Sequence, residues 1–498
     1  MRIRFRAVAV CAAGLALAAS AATPPKGPFE PTWDSIKEHY RVPLWFQDGK
    51  FGVFLHWGLY EVPAHHNEWY AKHMYGNPEM MQWHTEHFGP LDKFGYKDFI
   101  PLFRNEKFDP DQWAELFRKA GVKYVVPTAE HHDGFAMYDS DLTKWCAAKM
   151  GPKRDLIGDL AKAVRKQGLK FGVSNHRMEH WSFMYSTLDA AQKSDLFDPK
   201  FADFYGPPHP PQTPESKEWL NEWVVRVDEL IDKYQPDMLW FDNGINARRY
   251  DPVKLAVAAY YYNRATEWKK QVTLSTKDSA YLSGSILDFE RAGRAPKVLQ
   301  ANVWQTDDPI GDTFGYTTEI KYKSAGSLVK ELIDNVSKNG NLLLNLSPKA
   351  DGTIPEEQQK ILLEIGKWLE VNGEAIYGTR PWTIFGEGPS VPESGSPAAA
   401  APPPGPLTAS TPRLPAPGSK DFRFTTKGDV LYAIDMGWPG EEATIASLAK
   451  NKIKSVELLG HKGPLEFTQD EGSLRVKFPA DKPCDYAYAL KINGLKLK

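Results

Sequence analysis

Polar residues that can carry acid-base chemistry follow four short apolar runs of the sequence, at the point where each run ends. The four endings are His56-Trp57-Gly58, Glu130-His131-His132-Asp133-Gly134, Asn175-His176 and Asp242-Asn243-Gly244. In a parallel β-barrel the functional site lies at the carboxyl ends of the strands. Four polar endings of this kind therefore predict one shared cavity.

Asp242 ends the apolar run Leu239-Trp240-Phe241, where burial is expected. Its carboxylate must face either a cavity or a hydrogen-bond donor, because an unpaired buried charge is costly. A cap on the following helix is the structural alternative for such an aspartate. The period of two along a strand points Trp240 into the barrel interior as well, which favours a functional role for Asp242.

Two glutamates outside helix faces are candidates for a second carboxylate. Glu68 follows Asn67 and precedes Trp69, and Glu290 lies in the segment 288–291. Each has a structural alternative. Glu68 could form an ion pair or orient a hydrogen bond, and Glu290 could form a salt bridge with a neighbouring arginine.

The histidines could bind either a ligand or a metal ion. His131 and His132 are adjacent, and neighbouring side chains on an extended segment point to opposite faces, so we expect hydrogen bonds to a ligand. The segment His176-Arg177-Met178-Glu179-His180 matches the H-x-x-E-H pattern of zinc proteases. That pattern requires a helix, whereas here it follows a predicted strand. We predict a loop that brings a histidine or two to the site, with no metal and no other cofactor; a zinc peptidase is the alternative.

Short apolar or β-branched runs alternate with amphipathic stretches between residues 50 and 346, which is the pattern of βα repeats. The strand candidates are 52–56, 124–128, 170–174, 238–241, 272–275, 298–303 and 342–345. Helix-start signals predict helices at 112–119, 156–166 and 217–233. We therefore predict a catalytic barrel over residues 30–383.

The composition changes to Pro, Ala, Gly and Ser at residues 386–420, which predicts a linker or a long surface loop. Six short strand-like runs follow it, separated by Gly, Pro, Asp and Lys. They are 422–425, 430–435, 443–446, 455–458, 474–478 and 486–492. This pattern predicts a small antiparallel β domain over residues 421–498.

The chain of 498 residues carries 61 Lys and Arg against 63 Asp and Glu, a formal charge of -2, which gives no electrostatic attraction for a nucleic-acid partner. Residues 1–21 resemble a signal peptide, with three arginines, an apolar stretch and the cleavage sequence Ala19-Ser20-Ala21. No later run is apolar enough to span a membrane. We expect an exported protein, periplasmic or extracellular, with no membrane partner; its oligomeric state is open.

Four ordered blocks between about residues 31 and 382 resemble the α-L-fucosidases of glycoside hydrolase family twenty-nine. The first block is 50–58 together with Glu68-Trp69-Tyr70, and the second is 128–135. The third, 236–242, resembles the nucleophile strand of the family, and the fourth, 339–345, resembles a late barrel strand. The resemblance implies a distorted (β/α)₈ barrel followed by a C-terminal β-sandwich.

The resemblance also implies an exo-acting, retaining hydrolase that releases terminal α-L-fucose from fucosylated oligosaccharides or glycoconjugates without a cofactor. Asp242 is then the nucleophile that forms a covalent fucosyl-aspartate, and Glu290 is the preferred acid/base, with Glu68 in reserve. The residues that it assigns to the sugar pocket are His56, Glu68, Trp69, His131, His132, His176, Trp240 and Trp304.

The sequence departs from the family pattern at two places. Trp304-Gln305 stands where many members have Trp-Glu, and glutamine cannot donate and retake a proton. His176 stands where relatives often carry a tyrosine, so we expect it to replace that sugar contact. A carbohydrate-binding protein that has lost catalysis is the competing hypothesis, against which the intact run ending at Asp242 argues.

Overall fold

The computed structural model describes residues 25–185, 193–210, 212–391, 415–450 and 452–495. The predicted signal peptide at 1–21 lies outside the described residues, as does the larger part of the predicted linker at 386–420. None of the helices in the described ranges has both the length and the apolar character needed to cross a lipid bilayer.

Eight parallel strands close into a barrel in which each strand pairs with the next and the eighth pairs with the first. They are β1 (Phe51–Leu55), β2 (Tyr124–Glu130), β3 (Lys170–Asn175), β4 (Met238–Phe241), β5 (Thr273–Lys277), β6 (Ser285–Asp288), β7 (Trp304–Pro309) and β8 (Gly340–Leu346). Strands such as β1 are buried on both faces, so they read as continuous apolar runs. The predicted barrel is confirmed.

Two of the eight strands differ from the sequence prediction. β6 was not predicted, and the run 298–303 was wrongly taken as a strand, because β7 begins only at Trp304. β7 reads Trp-Gln-Thr-Asp-Asp-Pro and is fully buried. Two of its polar residues are paired, Gln305 with Asp288 and Asp308 with Lys323, which makes their burial possible.

The described residues contain twelve α-helices, and the longer ones cover the outside of the barrel. They are α1 (Trp33–His39), α2 (Leu44–Gly49), α3 (Tyr70–Gly76), α4 (Pro78–Phe88), α5 (Pro110–Lys119), α6 (Leu156–Lys166), α7 (His180–Phe183), α8 (Ala202–Tyr205), α9 (Lys217–Tyr234), α10 (Asp251–Trp268), α11 (Ala325–Ser337) and α12 (Glu356–Asn372). Asp109, Asp155 and Ser216 cap the three predicted helices, α5, α6 and α9, by accepting a hydrogen bond from a first-turn amide.

No α-helix separates β5, β6 and β7, where the described chain holds only a short 3₁₀ turn at Ala292–Arg294. The other barrel strands are each separated by at least one α-helix. The barrel is therefore distorted on this side, in agreement with the predicted fold class.

Two antiparallel sheets form the C-terminal domain, in the orders β13-β16-β11-β10-β9 and β12-β15-β14. The strands are β9 (Arg380–Glu387), β10 (Phe422–Lys427), β11 (Val430–Asp435), β12 (Glu442–Ile445), β13 (Ser455–Leu458), β14 (Phe467–Gln469), β15 (Leu474–Lys477) and β16 (Tyr488–Asn493). All six predicted runs overlap a strand. β9 pairs with β10 and so belongs to this domain, although it crosses the junction predicted between barrel and linker.

The barrel and the C-terminal domain share a packed and partly charged interface. Trp368 on α12 donates its indole N–H to the carbonyl of Ala487, at 2.8 Å. Arg423 on β10 donates to Asp334 on α11, with an Nε–Oδ1 distance of 2.7 Å, and to Ser390. Burial disfavours the charge of Asp334, but Lys338 and Arg423 outweigh it and lower its pKa to about 2.

We expect the Arg423→Met substitution to lower the free energy of unfolding by about 2 kcal/mol, because Asp334 loses one of its two cations and Ser390 loses its hydrogen-bond donor. Arg475→Met is the matched control, since Arg475 forms an exposed pair with Asp470 and such pairs contribute little. Urea denaturation followed by tryptophan fluorescence measures both. Equal loss in the two variants would contradict the importance of the interface pair.

Candidate active site

Asp242 directly follows β4 at the carboxyl end of the barrel, and both its carboxylate oxygens have partners. Oδ1 lies 2.8 Å from the Nζ of Lys277. Oδ2 lies 3.0 Å from His176 Nδ1 and 3.4 Å from His132 Nε2. Burial alone would raise the pKa of Asp242, but Lys277, His132 and His176 hold it well below the usual range. The buried carboxylate is therefore ionised.

Lys277 is a functional residue that the sequence analysis missed. It is the last residue of β5 and is only 7% exposed. Its Nζ contacts Asp242, lies 3.1 Å from Glu290 Oε2 and lies 3.8 Å from Asp307 Oδ2. The rule that selected Asp242, a polar residue at a strand end, also selects Lys277. A lysine is rarely buried unless it is paired, however, and the partners of Lys277 come from distant parts of the chain, so the sequence alone does not place it in the site.

Glu290 lies on the irregular segment between β6 and β7, with its side chain 24% exposed. It shares the ammonium group of Lys277 with Asp242, and its other oxygen lies 3.8 Å from Nε of Arg291. The structure therefore brings the two predicted catalytic carboxylates to one cation. The predicted alternative of a salt bridge to Arg291 is also present, at the longer distance.

The four predicted histidines form one buried group beside Asp242. His56 Nδ1 lies 2.7 Å from Asn345 Oδ1, and the ring of His131 packs between those of His56 and His132. Burial and the neighbouring imidazoles lower the pKa of His56 and His131 well below the usual value. These rings are therefore neutral, and each can donate one hydrogen bond and accept another.

His132 and His176 differ in charge preference because of their positions around Asp242. Burial disfavours protonation of His132, but its hydrogen bond to Asp242 and the charge of Glu179 raise its pKa overall. Burial dominates at His176 and lowers its pKa to about 4. His176 Nε2 also lies 2.9 Å from the hydroxyl of Ser174.

The zinc-protease pattern does not form a metal-binding face. His176 precedes a 3₁₀ turn, and His180 begins the short helix α7. The two ring nitrogens of His180 lie 2.7 Å and 2.9 Å from the carbonyl oxygens of His132 and Phe204. His180 thus braces the loop that carries His132 and does not point to the group around Asp242.

Glu68 anchors a loop of the barrel through the backbone. Its Oε2 accepts hydrogen bonds from the amides of Phe314, at 3.2 Å, and Gly315, at 3.1 Å. The ring of Phe314 packs against His56. This is the orienting role that the sequence analysis gave as the alternative for Glu68. Trp69, next along the chain, packs edge-on against His132, so the structure places both predicted residues at the histidine group.

The two predicted tryptophans lie at different levels of the barrel. Trp240 is fully buried beneath the site, with its ring against His176 and Lys277. Trp304 is the first residue of β7, pairs with Gly340 at the start of β8 and donates to the carbonyl of Lys338. Trp304 therefore lies at the amino end of the barrel, opposite the site. The assignment of Trp304 to the sugar pocket, which rested on the family resemblance, is therefore corrected.

Gln305 belongs to a buried hydrogen-bond network below the site. It accepts from the hydroxyl of Tyr124 at 2.7 Å and donates to Asp288 at 2.6 Å. Trp240 donates to the same oxygen of Asp288, at 2.8 Å. An amide suits this place because it must donate and accept at once. Gln305 is structural, so its departure from the family pattern does not affect proton transfer at the site.

Asp307 is a second residue that the sequence analysis missed. It is fully buried, and the Nζ of Lys277 lies 3.8 Å from its Oδ2. Burial raises the pKa of Asp307 well above its usual value, against the opposing charge of Lys277. Burial therefore favours the neutral form of Asp307, which leaves Asp242 as the buried carboxylate nearest to the lysine.

Comparison with known proteins identifies the group to which this arrangement belongs. The family model described as Alpha-L-fucosidase matches residues 16–374, and the model described as Alpha-L-fucosidase C-terminal domain matches residues 418–493. The chain belongs to the alpha-L-fucosidase family. The two matches correspond to the barrel and to the C-terminal sheets of this family member.

Individual relatives resemble the chain over nearly its whole length. Mouse tissue alpha-L-fucosidase is 31% identical over 482 residues, which cover 93% of this chain and 94% of the mouse protein. The crystal structure of Thermotoga maritima alpha-fucosidase is 32% identical, with a TM-score of 0.71 over 93% of this chain and all of that one. Alpha-L-fucosidase isoenzyme 1 from Paenibacillus thiaminolyticus is 26% identical, with a TM-score of 0.66, and covers 90% and 97% of the two chains.

These findings confirm the predicted family and fold, and the class of enzyme, an alpha-L-fucosidase-type glycoside hydrolase. They also agree with a fucosylated substrate, as the alpha-L-fucosidase family name indicates.

We expect Lys277→Met to raise the pKa of Asp242, because the substitution removes a cation that stabilises the ionised carboxylate. Asp242 would then become protonated at a higher pH, and the acid limb of the kcat/KM profile would move upward by about one pH unit or more. Lys277→Arg is the matched control, since it keeps the positive charge. Hydrolysis of an aryl α-L-fucoside across pH measures both variants, and an acid limb that stays in place in Lys277→Met would contradict the assigned role.

Proposed function

We propose that the protein is an exo-acting, retaining alpha-L-fucosidase that removes terminal α-L-fucose from oligosaccharides or glycoconjugates through a covalent fucosyl-aspartate. The observation that carries the proposal is the shared contact of Asp242 and Glu290 with one buried lysine. Solved structures of the related Thermotoga maritima alpha-fucosidase in complex with fucose and with a mechanism based inhibitor support the sugar and the mechanism.

The spacing of the two carboxylates supports retention of configuration. Lys277 Nζ lies 2.8 Å from Asp242 Oδ1 and 3.1 Å from Glu290 Oε2. These two oxygens are therefore at most about 6 Å apart, which suits the roughly 5 to 5.5 Å of retaining glycosidases better than the roughly 6.5 to 9.5 Å of inverting ones.

The reaction then proceeds in two displacements. Asp242 attacks the anomeric carbon while Glu290 gives its proton to the departing glycosidic oxygen, so the C–O bond to the leaving group breaks as the ester bond to Asp242 forms. In the second step Glu290 takes a proton from water, and the resulting oxygen nucleophile displaces Asp242. Fucose leaves with its original configuration.

Lys277 suits this cycle because the negative charge moves between its two partners. The charge of Asp242 is lost when the ester forms, and the charge of Glu290 appears when the proton is donated. An ammonium group in contact with both carboxylates stabilises the negative charge at either place without moving far. In a site with little water this stabilisation is larger than on the protein surface.

The neutral imidazoles of His56 and His131 supply hydrogen bonds for sugar hydroxyls. His56 is held by Asn345 through its Nδ1, which leaves Nε2 for a ligand. His131 has a buried Nδ1 that lacks a partner in the structure. We assign these two groups, with His132, His176 and Trp69, to the recognition of fucose.

The two competing functions lose their support in the structure. The binding-only hypothesis relied on Gln305, which is part of the hydrogen-bond network beneath the site. The zinc-peptidase hypothesis required His180, whose ring nitrogens face backbone carbonyls. The proposed role of Asp242 as the nucleophile does not depend on Gln305 or on His180.

We expect Asp242→Gly to reduce hydrolysis of an aryl α-L-fucoside more than about a thousandfold, because no nucleophile remains. Azide fills the space left by the carboxylate and attacks from the same face, so the product is a β-L-fucosyl azide, detected by NMR. The parent enzyme in azide is the control and should form no such product. An azide product with the configuration of the substrate would contradict the nucleophile assignment.

We expect Glu290→Ala to affect natural and activated substrates differently. Loss of the general acid should reduce kcat/KM for a fucosylated disaccharide by about 10² to 10⁴. An aryl fucoside with a good leaving group depends less on protonation by the enzyme. The reduction in its kcat/KM should therefore be at least tenfold smaller than the reduction for the disaccharide. Glu68→Gln is the comparison, because its amide oxygen can still accept hydrogen bonds from Phe314 and Gly315. We expect it to lower kcat/KM by the same factor for both substrates. The reverse pattern would make Glu68 the acid/base.

We also infer that the chain is exported, to a periplasm or to the outside of the cell, with cleavage after Ala21. The support is the basic and apolar sequence of residues 1–21. Mass spectrometry of the amino terminus of the protein recovered from each cell fraction tests this. An uncleaved chain in the cytoplasmic fraction would overturn it.

A further inference from the structure

We propose that the unliganded site binds a divalent zinc ion through the imidazoles of His56, His131 and His176, and that zinc thereby competes with the sugar. Each of these three buried residues has a ring nitrogen within 4.8 Å of a nitrogen of the other two. Their ring centroids are 4.9 to 5.6 Å apart in pairs. The zinc ion would be an inhibitor and not a cofactor of the reaction.

The hydrogen bonds around His56 fix which nitrogen faces the cavity. Asn345 Oδ1 lies 2.7 Å from His56 Nδ1 and also accepts from the backbone amide of His56, at 3.0 Å. The amide group of Asn345 donates to the carbonyl of Phe314, at 2.7 Å, which sets its orientation. His56 Nδ1 must therefore donate, so the lone pair is on Nε2, and a second residue orients the ring as in natural zinc sites.

Among the described residues, His131 Nδ1 is buried and has no hydrogen-bond partner, so it is available to a ligand. Both ring nitrogens of His176 lie near a partner, Nδ1 at 3.0 Å from Asp242 Oδ2 and Nε2 at 2.9 Å from the hydroxyl of Ser174, so zinc has to replace one of these two contacts. His176 belongs to both groups of possible ligands, the first with His56 and His131 and the second with His132 and Asp242. Because His176 also lies beside Asp242, the carboxylate of Asp242 is next to the three imidazoles.

The charges around Asp242 allow a cation on the histidine side. Lys277 contacts Oδ1 of Asp242, whereas Oδ2 faces His132 and His176. A zinc ion among the imidazoles would thus be separated from the ammonium group by the carboxylate. Three imidazoles with a carboxylate or water in the fourth position are a set that zinc prefers. Tetrahedral binding needs nitrogens about 3.4 Å apart, so small rotations of the rings must bring them together.

This arrangement differs from the H-x-x-E-H pattern, of which it uses only His176. His131 and His132, adjacent in the sequence, fall into different groups of possible ligands, although their ring centroids are only 4.5 Å apart. Binding of zinc depends only on the geometry of the imidazoles, whereas competition with substrate rests on the sugar pocket proposed above.

Titration calorimetry of the full chain with zinc chloride tests the binding, apart from any activity. We expect one zinc ion per chain, with affinity at least tenfold weaker in His131→Asn and in His56→Asn. His87→Asn is the matched control, because His87 is an exposed histidine stacked on Trp83, and it should change the affinity less than twofold. Circular dichroism and the midpoint of thermal unfolding verify that each variant is folded.

Competition is measured separately on the parent enzyme. Zinc should raise the apparent KM for an aryl α-L-fucoside without lowering kcat, and saturating L-fucose should remove the heat of zinc binding. Absence of zinc binding, or equal affinity in His131→Asn and the parent, would overturn the proposed site. Binding at the site combined with a fall in kcat at constant KM would instead overturn the shared sugar pocket and leave the metal site standing.

Discussion

The ammonium group of Lys277 is the cation on which the rest of the site depends. It contacts Asp242 and Glu290, which come from different parts of the barrel, and it lies 3.8 Å from the neutral acid Asp307. Without it, the buried carboxylate of Asp242 would lose the cation that contributes most to keeping it ionised. The lysine therefore brings Asp242 and Glu290 close together and stabilises the charge of Asp242.

The barrel interior must satisfy many polar groups for this site to exist at its end. Trp240 forms the floor, and its indole N–H is bound to Asp288, which also accepts from Gln305. Tyr124 completes the chain from β2. Because each of these contacts links different strands, the floor of the site is connected to the closure of the barrel. Such a network is stable only if its members are paired.

The sequence correctly predicted those site residues that directly follow an apolar strand. It failed where the position of a residue depended on the exact residues at which a strand begins and ends. Asp242 and the histidines follow apolar runs, so their place at the carboxyl ends came from the fold class alone. Trp304, which the family resemblance assigned to the sugar pocket, lies at the opposite end of the barrel because the polar strand β7 begins at Trp304 itself. Lys277 and Asp307 were missed because their burial depends on partners from distant parts of the chain, which no local pattern shows.

The side of the barrel without helices between β5, β6 and β7 has a consequence for the diversity of such enzymes. Glu290, the proposed general acid, lies on the irregular segment of this side, and a general acid must contact the leaving group of the substrate. The leaving group, or aglycone, is the part of the substrate that varies most. It therefore contacts the part of the barrel that has the least regular structure. Insertions and exchanges in residues 292–303, beyond the proposed acid Glu290, can alter aglycone preference while Glu290 and the strands that hold Asp242 and Lys277 stay the same, so selectivity can evolve separately from catalysis.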